Sequence, residues 1–225
     1  MAPIILEAAR NAKVPVAVHL DHGASFETCA RAIKFGFCSV MVDGSTLPLE
    51  ENIALSRDVV RMAKAFNVDV ETELGKVGST GEGFAETEVA EGGDVFTNVD
   101  ESAYFIERTG TDVLAIAIGN LHGKYVATPQ LNIKRLIEIK ERNDIPLVLH
   151  GGTGTSDEDF KSCIHNGISK INVATALQLE ITKKIQEYLS HSDKPNYIEM
   201  KYKMVEATKE SVSRHIQLFE SNNRV

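Results

Sequence analysis

Short apolar runs rich in β-branched residues recur along the chain, each followed by a longer stretch with helical spacing. An amphipathic helix is predicted over 4–12 and leads into the first apolar run, 14–20. Further strands are predicted at 39–43, 69–74, 113–118, 146–149 and 169–173. The helices between them are predicted at 25–35, 49–66, 99–109, 133–142 and 157–166, with Ser25 as an N-cap. A helical tail begins near Ala176, breaks around Pro195 and resumes over 197–221. The strands lack polar alternation, as expected where helices cover both faces of a sheet. Six β/α units in succession point to a parallel α/β architecture. A (β/α)8 barrel and an open doubly wound sheet both fit that pattern. No GxGxxG follows a strand and no GxxxxGK[ST] occurs, which removes the main support for a nucleotide-binding doubly wound sheet. No low-complexity linker interrupts the run, so residues 1–225 read as a single domain.

Chemistry-bearing side chains gather where the predicted strands end. They are Asp21 and His22, Asp43 and Ser45, Glu71 and Glu73, Asn120 and His122, His150 with Gly151 and Gly152, and Asn172 with Thr175. Barrels build their sites at such ends. Regular alternation sends Asp21 and His22 to opposite faces, and a turn at Gly23 relaxes that rule. Three neutral imidazoles, His22, His122 and His150, suit a zinc-like divalent ion with an open fourth position. His19 is read as packing or orienting a neighbour, and His165, His191 and His215 as surface or capping residues. The turn at 150–154 (HGGTG) and the segment 172–175 (NVAT) both lead into helices, so their backbone N–H groups suit a phosphate. The loop at 76–93 is long and glycine-rich enough for a lid, and Glu82, between Gly81 and Gly83, is its best-placed proton carrier.

Composition narrows the function classes. A net charge of −8 and a pI near 5.4 argue against non-specific binding to nucleic acid or anionic membrane. No apolar run reaches membrane-spanning length, and residues 1–13 lack a signal-peptide pattern. Cys29, Cys38 and Cys163 are odd in number and form no CxxC pair, so they read as packed, reduced thiols of a cytoplasmic protein.

The segments HLDHG (19–23), VETELG (70–75), GNLHGKY (119–125), LHGGTG (149–154) and INVAT (171–175) resemble those of class II, metal-dependent ketose-bisphosphate aldolases, the fructose- and tagatose-bisphosphate enzymes. The resemblance runs in order from about Ala2 to the C-terminal helix. It implies a (β/α)8 TIM barrel with Asp21 as the catalytic acid/base. It implies His22, His122 and His150 as zinc ligands, which also suit cobalt or iron. Glu73 and Asp43 resemble carboxylates at an alternative or second metal position, and a monovalent cation is a further expectation. Gly123, Gly151, Gly152 and Thr153, with Asn172, Val173, Ala174 and Thr175, resemble the dihydroxyacetone-phosphate contacts. Thr153 stands where the family often has Ser. The lid departs from the family: it reads GSTGEG where the family commonly has adjacent acidic residues after Gly-Gly.

The resemblance therefore implies zinc-dependent, reversible cleavage of a ketose 1,6-bisphosphate to dihydroxyacetone phosphate and an aldehyde such as glyceraldehyde 3-phosphate. Asp21 would deprotonate the carbon-4 hydroxyl, and the enzyme would be a homodimer or homotetramer. About six β/α units are present against the family's eight, and the match begins at what resembles the helix before the third strand. The chain is thus expected to be N-terminally truncated, and poorly soluble or inactive by itself. Two other readings compete: an inactive truncated paralogue, and a metal-dependent hydrolase on the same barrel, which would not need two phosphate-binding turns. A Schiff-base aldolase is disfavoured, because no lysine ends a strand except Lys76, in the loop.

Overall fold

Six apolar segments pair side by side in one all-parallel sheet of order β1-β2-β3-β5-β7-β8. These are β1 (His19–Gly23), β2 (Ser39–Val42), β3 (Asp69–Leu74), β5 (Val113–Ile116), β7 (Leu147–Leu149) and β8 (Ile168–Ile171). A two-residue parallel pair, β4 (Gly78–Ser79) and β6 (Leu121–His122), stands apart. The helices are α1 (Ala2–Arg10), α2 (Phe26–Phe35), α3 (Leu49–Lys64), α4 (Val99–Thr109), α5 (Ile133–Arg142), α6 (Asp157–His165), α7 (Thr175–His191) and α8 (Tyr197–Leu218). The computed structural model describes residues 1–75, 78–79, 96–122 and 129–224, of which 78–79 and 121–122 are described by backbone alone.

The strand order follows the chain with no reversal, whereas a doubly wound sheet reverses at its switch point. The curl of the sheet follows from one contact. A flat sheet would hold β1 and β8 five strand spacings apart, roughly 24 Å at about 4.8 Å each. Yet Asn172, just beyond β8, donates from Nδ2 to Asp21 Oδ1 in β1 at 2.8 Å. The carboxyl ends of the two outer strands are therefore drawn together, as in part of a barrel wall.

Helix caps and apolar faces fix the outer layer. Ser25, Asn98, Asn132 and Ser156 each accept a backbone N–H at the start of α2, α4, α5 and α6. Between helices and sheet, Phe105, Leu114, Ile116, Leu136, Leu147 and Leu149 form one buried cluster. Cys29, Val40, Val59 and Val70 form a second, under α2 and α3. Burial pushes the Cys29 thiol up to about 11 and the Cys163 thiol up to about 12, so both act as small apolar side chains. Cys38 departs from the expected packing and is exposed. No helix among the described residues is long and apolar enough to cross a membrane.

The strand expected at 14–20 is not where the structure puts it. β1 begins only at His19, and Val14 and Val16 are 53% and 49% exposed. Among the described residues β1 pairs with β2 alone, and Pro15 has no N–H to offer a ladder. The register then shifts between Leu20 and Gly23, and His22 takes φ 47°, in the left-handed region. Such a conformation costs a β-carbon-bearing residue about 1–3 kcal/mol. Gly23 makes the bulge feasible, because a β-carbon there would meet the Met41 carbonyl oxygen and the Cys29 sulfur. The bulge releases Asp21 and His22 from strict alternation, as the sequence suggested.

Candidate active site

The candidate side chains stand at or near the carboxyl ends of the curled sheet. Asp21 and His22 come from β1, Asp43 follows β2, and Glu71 and Glu73 lie two apart on β3, on one face. His150 follows β7 directly and Asn172 follows β8. Buried amides pin the backbone beneath them. Asn120 donates from Nδ2 to the His150 carbonyl at 2.9 Å, and its Oδ1 accepts the Ile118 N–H at 2.8 Å. Asn52 donates to the Glu73 carbonyl at 2.9 Å.

The centre is a pair of imidazoles. His150 Nδ1 lies 3.0 Å from His22 Nε2, with the rings edge-on at 85°. The outer nitrogen of each ring meets a carboxylate at 2.8 Å: His150 Nε2 meets Glu71 Oε1, and His22 Nδ1 meets Asp43 Oδ2. Burial pushes both carboxyls up, but their hydrogen bonds outweigh it. His150 and Lys170 hold Glu71 below its ordinary value, and His22 and Ser45 hold Asp43 far below its own. Two ionised carboxylates only accept, so the outer ring nitrogens carry the protons; the tautomers are assigned on this ground. Both inner nitrogens then turn lone pairs toward one place, an arrangement that suits a shared cation. The bond to Asp43 correspondingly raises the His22 pKa, against the opposing effect of burial.

The donor set fits a divalent metal ion. Zinc bonds of about 2.0–2.1 Å at tetrahedral angles would separate two ligand nitrogens by roughly 3.3 Å, a few tenths more than the pair shows. Ligand atoms of Asp21, His22 and His150, and those of His22, Asp43 and Glu73, lie within 4.8 Å of one another. Glu73, 2% exposed, has an Oε2 with no hydrogen-bond partner among the described residues, 3.7 Å from His150 Nδ1. A buried oxygen of that kind leaves a place that a bound ion would fill. A carboxylate behind each metal-binding histidine is also the usual way such rings are oriented.

Burial first, and then the Asp43 charge, push the Glu73 carboxyl up to about 8. A carboxyl raised above its unfolded value stabilises the fold fully below that unfolded value. The contribution is lost as pH rises through about 8. Between pH 4.5 and about 8, where Glu71 and Asp43 are already ionised, the chain stripped of metal is therefore expected to lose thermal stability as pH rises. Glu73→Gln should flatten that slope, and melts with a chelator across the range check it. An equally steep slope in Glu73→Gln contradicts the assignment.

The structure thus brings together Asp21, His22, Asp43, Glu73, His150 and Asn172 of the expected set. Gly151, Gly152 and Thr153 follow β7 as the turn before Ser156 and α6. Gly152 packs on the Phe160 ring, where a β-carbon would be 2.8 Å from Cζ. Val173 and Ala174 lead to Thr175, the first residue of α7. Gly123 and Glu82 lie outside the described residues. So does the His122 side chain, whose backbone pairs with Ser79.

His19 orients neighbours as expected, with Nδ1 2.8 Å from Ser39 Oγ and Nε2 3.6 Å from Glu71 Oε2. His165 meets Glu220 at the surface, and His191 bonds the Glu187 carbonyl at the end of α7. His215 corrects its surface reading: it is buried, bonded to the Ser211 carbonyl and packed on Phe219. Lys170 was missed. It sits inside β8, and its Nζ reaches Glu71 Oε2 at 2.8 Å and Asn172 Oδ1 at 2.7 Å. A lysine in a short apolar strand, two residues before Asn172 and hence on its face, was the available signal.

The family model "Fructose-bisphosphate aldolase class-II" matches residues 1–224. A fructose-bisphosphate aldolase of Staphylococcus aureus (strain Mu50 / ATCC 700699) is 43% identical over 216 residues, covering 95% of this chain and 73% of that protein. Among solved structures, the YdjI aldolase of Escherichia coli K12 superposes with a TM-score of 0.85 at 35% identity, covering 99% of this chain and 76% of that one. The fructose-bisphosphate aldolase of Campylobacter jejuni gives a TM-score of 0.73 at 25% identity, covering 100% and 74%.

Proposed function

The chain belongs to the class II fructose-bisphosphate aldolase family of carbon–carbon lyases, and from that premise we propose zinc-dependent, reversible cleavage of a ketose 1,6-bisphosphate to dihydroxyacetone phosphate and an aldehyde such as glyceraldehyde 3-phosphate. The observation that carries this reading is the His22–His150 pair, with inner nitrogens 3.0 Å apart and outer nitrogens held by carboxylates. We read the curled sheet as six strands of a (β/α)8 barrel, and residues 1–225 as a single barrel domain.

His22 and His150, with His122 as third ligand, would hold the cation, and Asp43 and Glu73 line an alternative position beside it. When bound, the ion supplies Lewis acidity toward charge developing on the ketose carbonyl oxygen. Asp21 takes the proton from the carbon-4 hydroxyl as the bond between carbons 3 and 4 breaks. The carboxylate is half exposed, so it faces incoming substrate, and Asn172 holds one of its oxygens. Backbone N–H groups at 151–153 and 173–175 seat a phosphate at the start of α6 and α7. A protonated Glu82 would give its proton to carbon 3 of the departing triose, and exchange with solvent would then take the proton from Asp21 and restore that of Glu82.

The test is an assay of both products with zinc present. Release of triose phosphate from fructose or tagatose 1,6-bisphosphate supports the aldolase. Release of inorganic phosphate without triose supports a metal-dependent hydrolase instead.

A further inference from the structure

We propose that Lys170 is a positioning residue that sets two parts of the site at once, His150 through Glu71 and Asp21 through Asn172. This rests on the reading of His150 as a metal ligand and Asp21 as the base.

The Lys170 ammonium offers three protons and accepts none. One goes to Glu71 Oε2 at 2.8 Å and one to Asn172 Oδ1 at 2.7 Å. Two consequences follow from these bonds. First, Glu71 is 2% exposed and takes the His150 Nε2 proton on its other oxygen at 2.8 Å. The ammonium and the imidazole take one oxygen each of a buried carboxylate, so the bond from Lys170 fixes the plane in which Glu71 meets His150. Lys170 thus keeps Glu71 an acceptor and the His150 inner nitrogen aimed at the cation. Second, an ammonium can meet only the oxygen of the Asn172 amide. That fixes the amide with Nδ2 toward Asp21 Oδ1 at 2.8 Å. With the amide reversed, its oxygen would face the carboxylate and repel it. His19, anchored on Ser39, stands with Nε2 3.6 Å from the same Glu71 oxygen, and Asn172 Nδ2 also lies 3.1 Å from His150 Nε2, which ties the two arms together.

Lysine suits this task better than arginine. A compact ammonium can serve two acceptors set at an angle, whereas a planar guanidinium prefers two parallel bonds to one partner.

The experiment uses the full chain loaded with Co2+, read by chelator competition and by the visible absorption of the bound ion. Glu71→Gln and Lys170→Met are each expected to weaken cobalt binding by about 10–100-fold and to change the visible bands. Lys170→Arg retains the charge beside Glu71. It should bind cobalt nearly as the parent does, but lose roughly 100-fold in kcat with KM little changed, through misplacement of Asp21. Circular dichroism establishes that each variant is folded. A folded Lys170→Met with parental cobalt affinity and spectrum overturns the proposal. Should that variant fail to fold, Lys170→Arg decides, and unchanged kcat overturns it. Absence of cobalt binding by the parent chain itself refutes the metal-site reading and the proposal with it.

Discussion

Asp21→Ala is expected to lower turnover by about 10²–10⁴-fold, the usual worth of a positioned general acid/base, while metal content stays near that of the parent. The two effects separate because Asp21 belongs to the edge of the site. Its carboxylate is half exposed, 4.0 Å from His22 Nε2 and bonded to Asn172. The imidazole pair is instead oriented by Glu71 and Asp43, which the substitution leaves in place. No core atom is removed, so stability should change little. Metal analysis alongside steady-state rates checks the prediction. Activity that survives the change removes Asp21 from the reaction, and metal lost with it makes Asp21 a ligand rather than a base.

Stripping the metal is expected to abolish activity and to lower thermal stability together, with both restored by zinc. The stability arm follows from linkage: a ligand at 100 times its dissociation constant stabilises the folded state by about 2.7 kcal/mol. Its structural source is specific. Removing the cation leaves two ring nitrogens crowded 3.0 Å apart. Glu73 must also either stay protonated or hold a buried charge beside Asp43. Activity that persists after exhaustive chelation, with an unchanged melting curve, contradicts the account.

Much of this arrangement was legible in the chain because local signals and tertiary demands coincide there. Val99–Thr109 follows the Asn98 cap and ends at Gly110, and Ile133–Arg142 follows Asn132; both helices fall where expected. Strand Asp69–Leu74 is also as expected, because its residues are buried on both faces and carry no breaker. The opening strand failed for a physical reason. An apolar β-branched run such as VPVAV looks like a buried strand, but strand formation needs a partner, and among the described residues the pairing with β2 begins at His19, with Val18 adding one carbonyl bonded to the Cys38 N–H. Sequence cannot show where along such a run the pairing begins.

The site was legible as a set of strand ends and not as a network. His22, His150, Asp43 and Glu73 could be named because ligating groups followed apolar runs. That Glu71 backs His150, or that Lys170 joins Glu71 to Asn172, depends on β3 and β8 facing one another across a curled sheet. Those residues are 99 positions apart in the chain. Lys170 was hidden further by its place inside a strand, away from the strand ends where ligating groups gather.

Diffraction at the zinc absorption edge from crystals of the zinc-loaded chain addresses the metal centre most directly. The account predicts one anomalous peak bonded to His22 Nε2 and His150 Nδ1, with Glu71 and Asp43 still on the outer nitrogens. A zinc ion bound without either imidazole, or none in this cluster at full zinc loading, contradicts it.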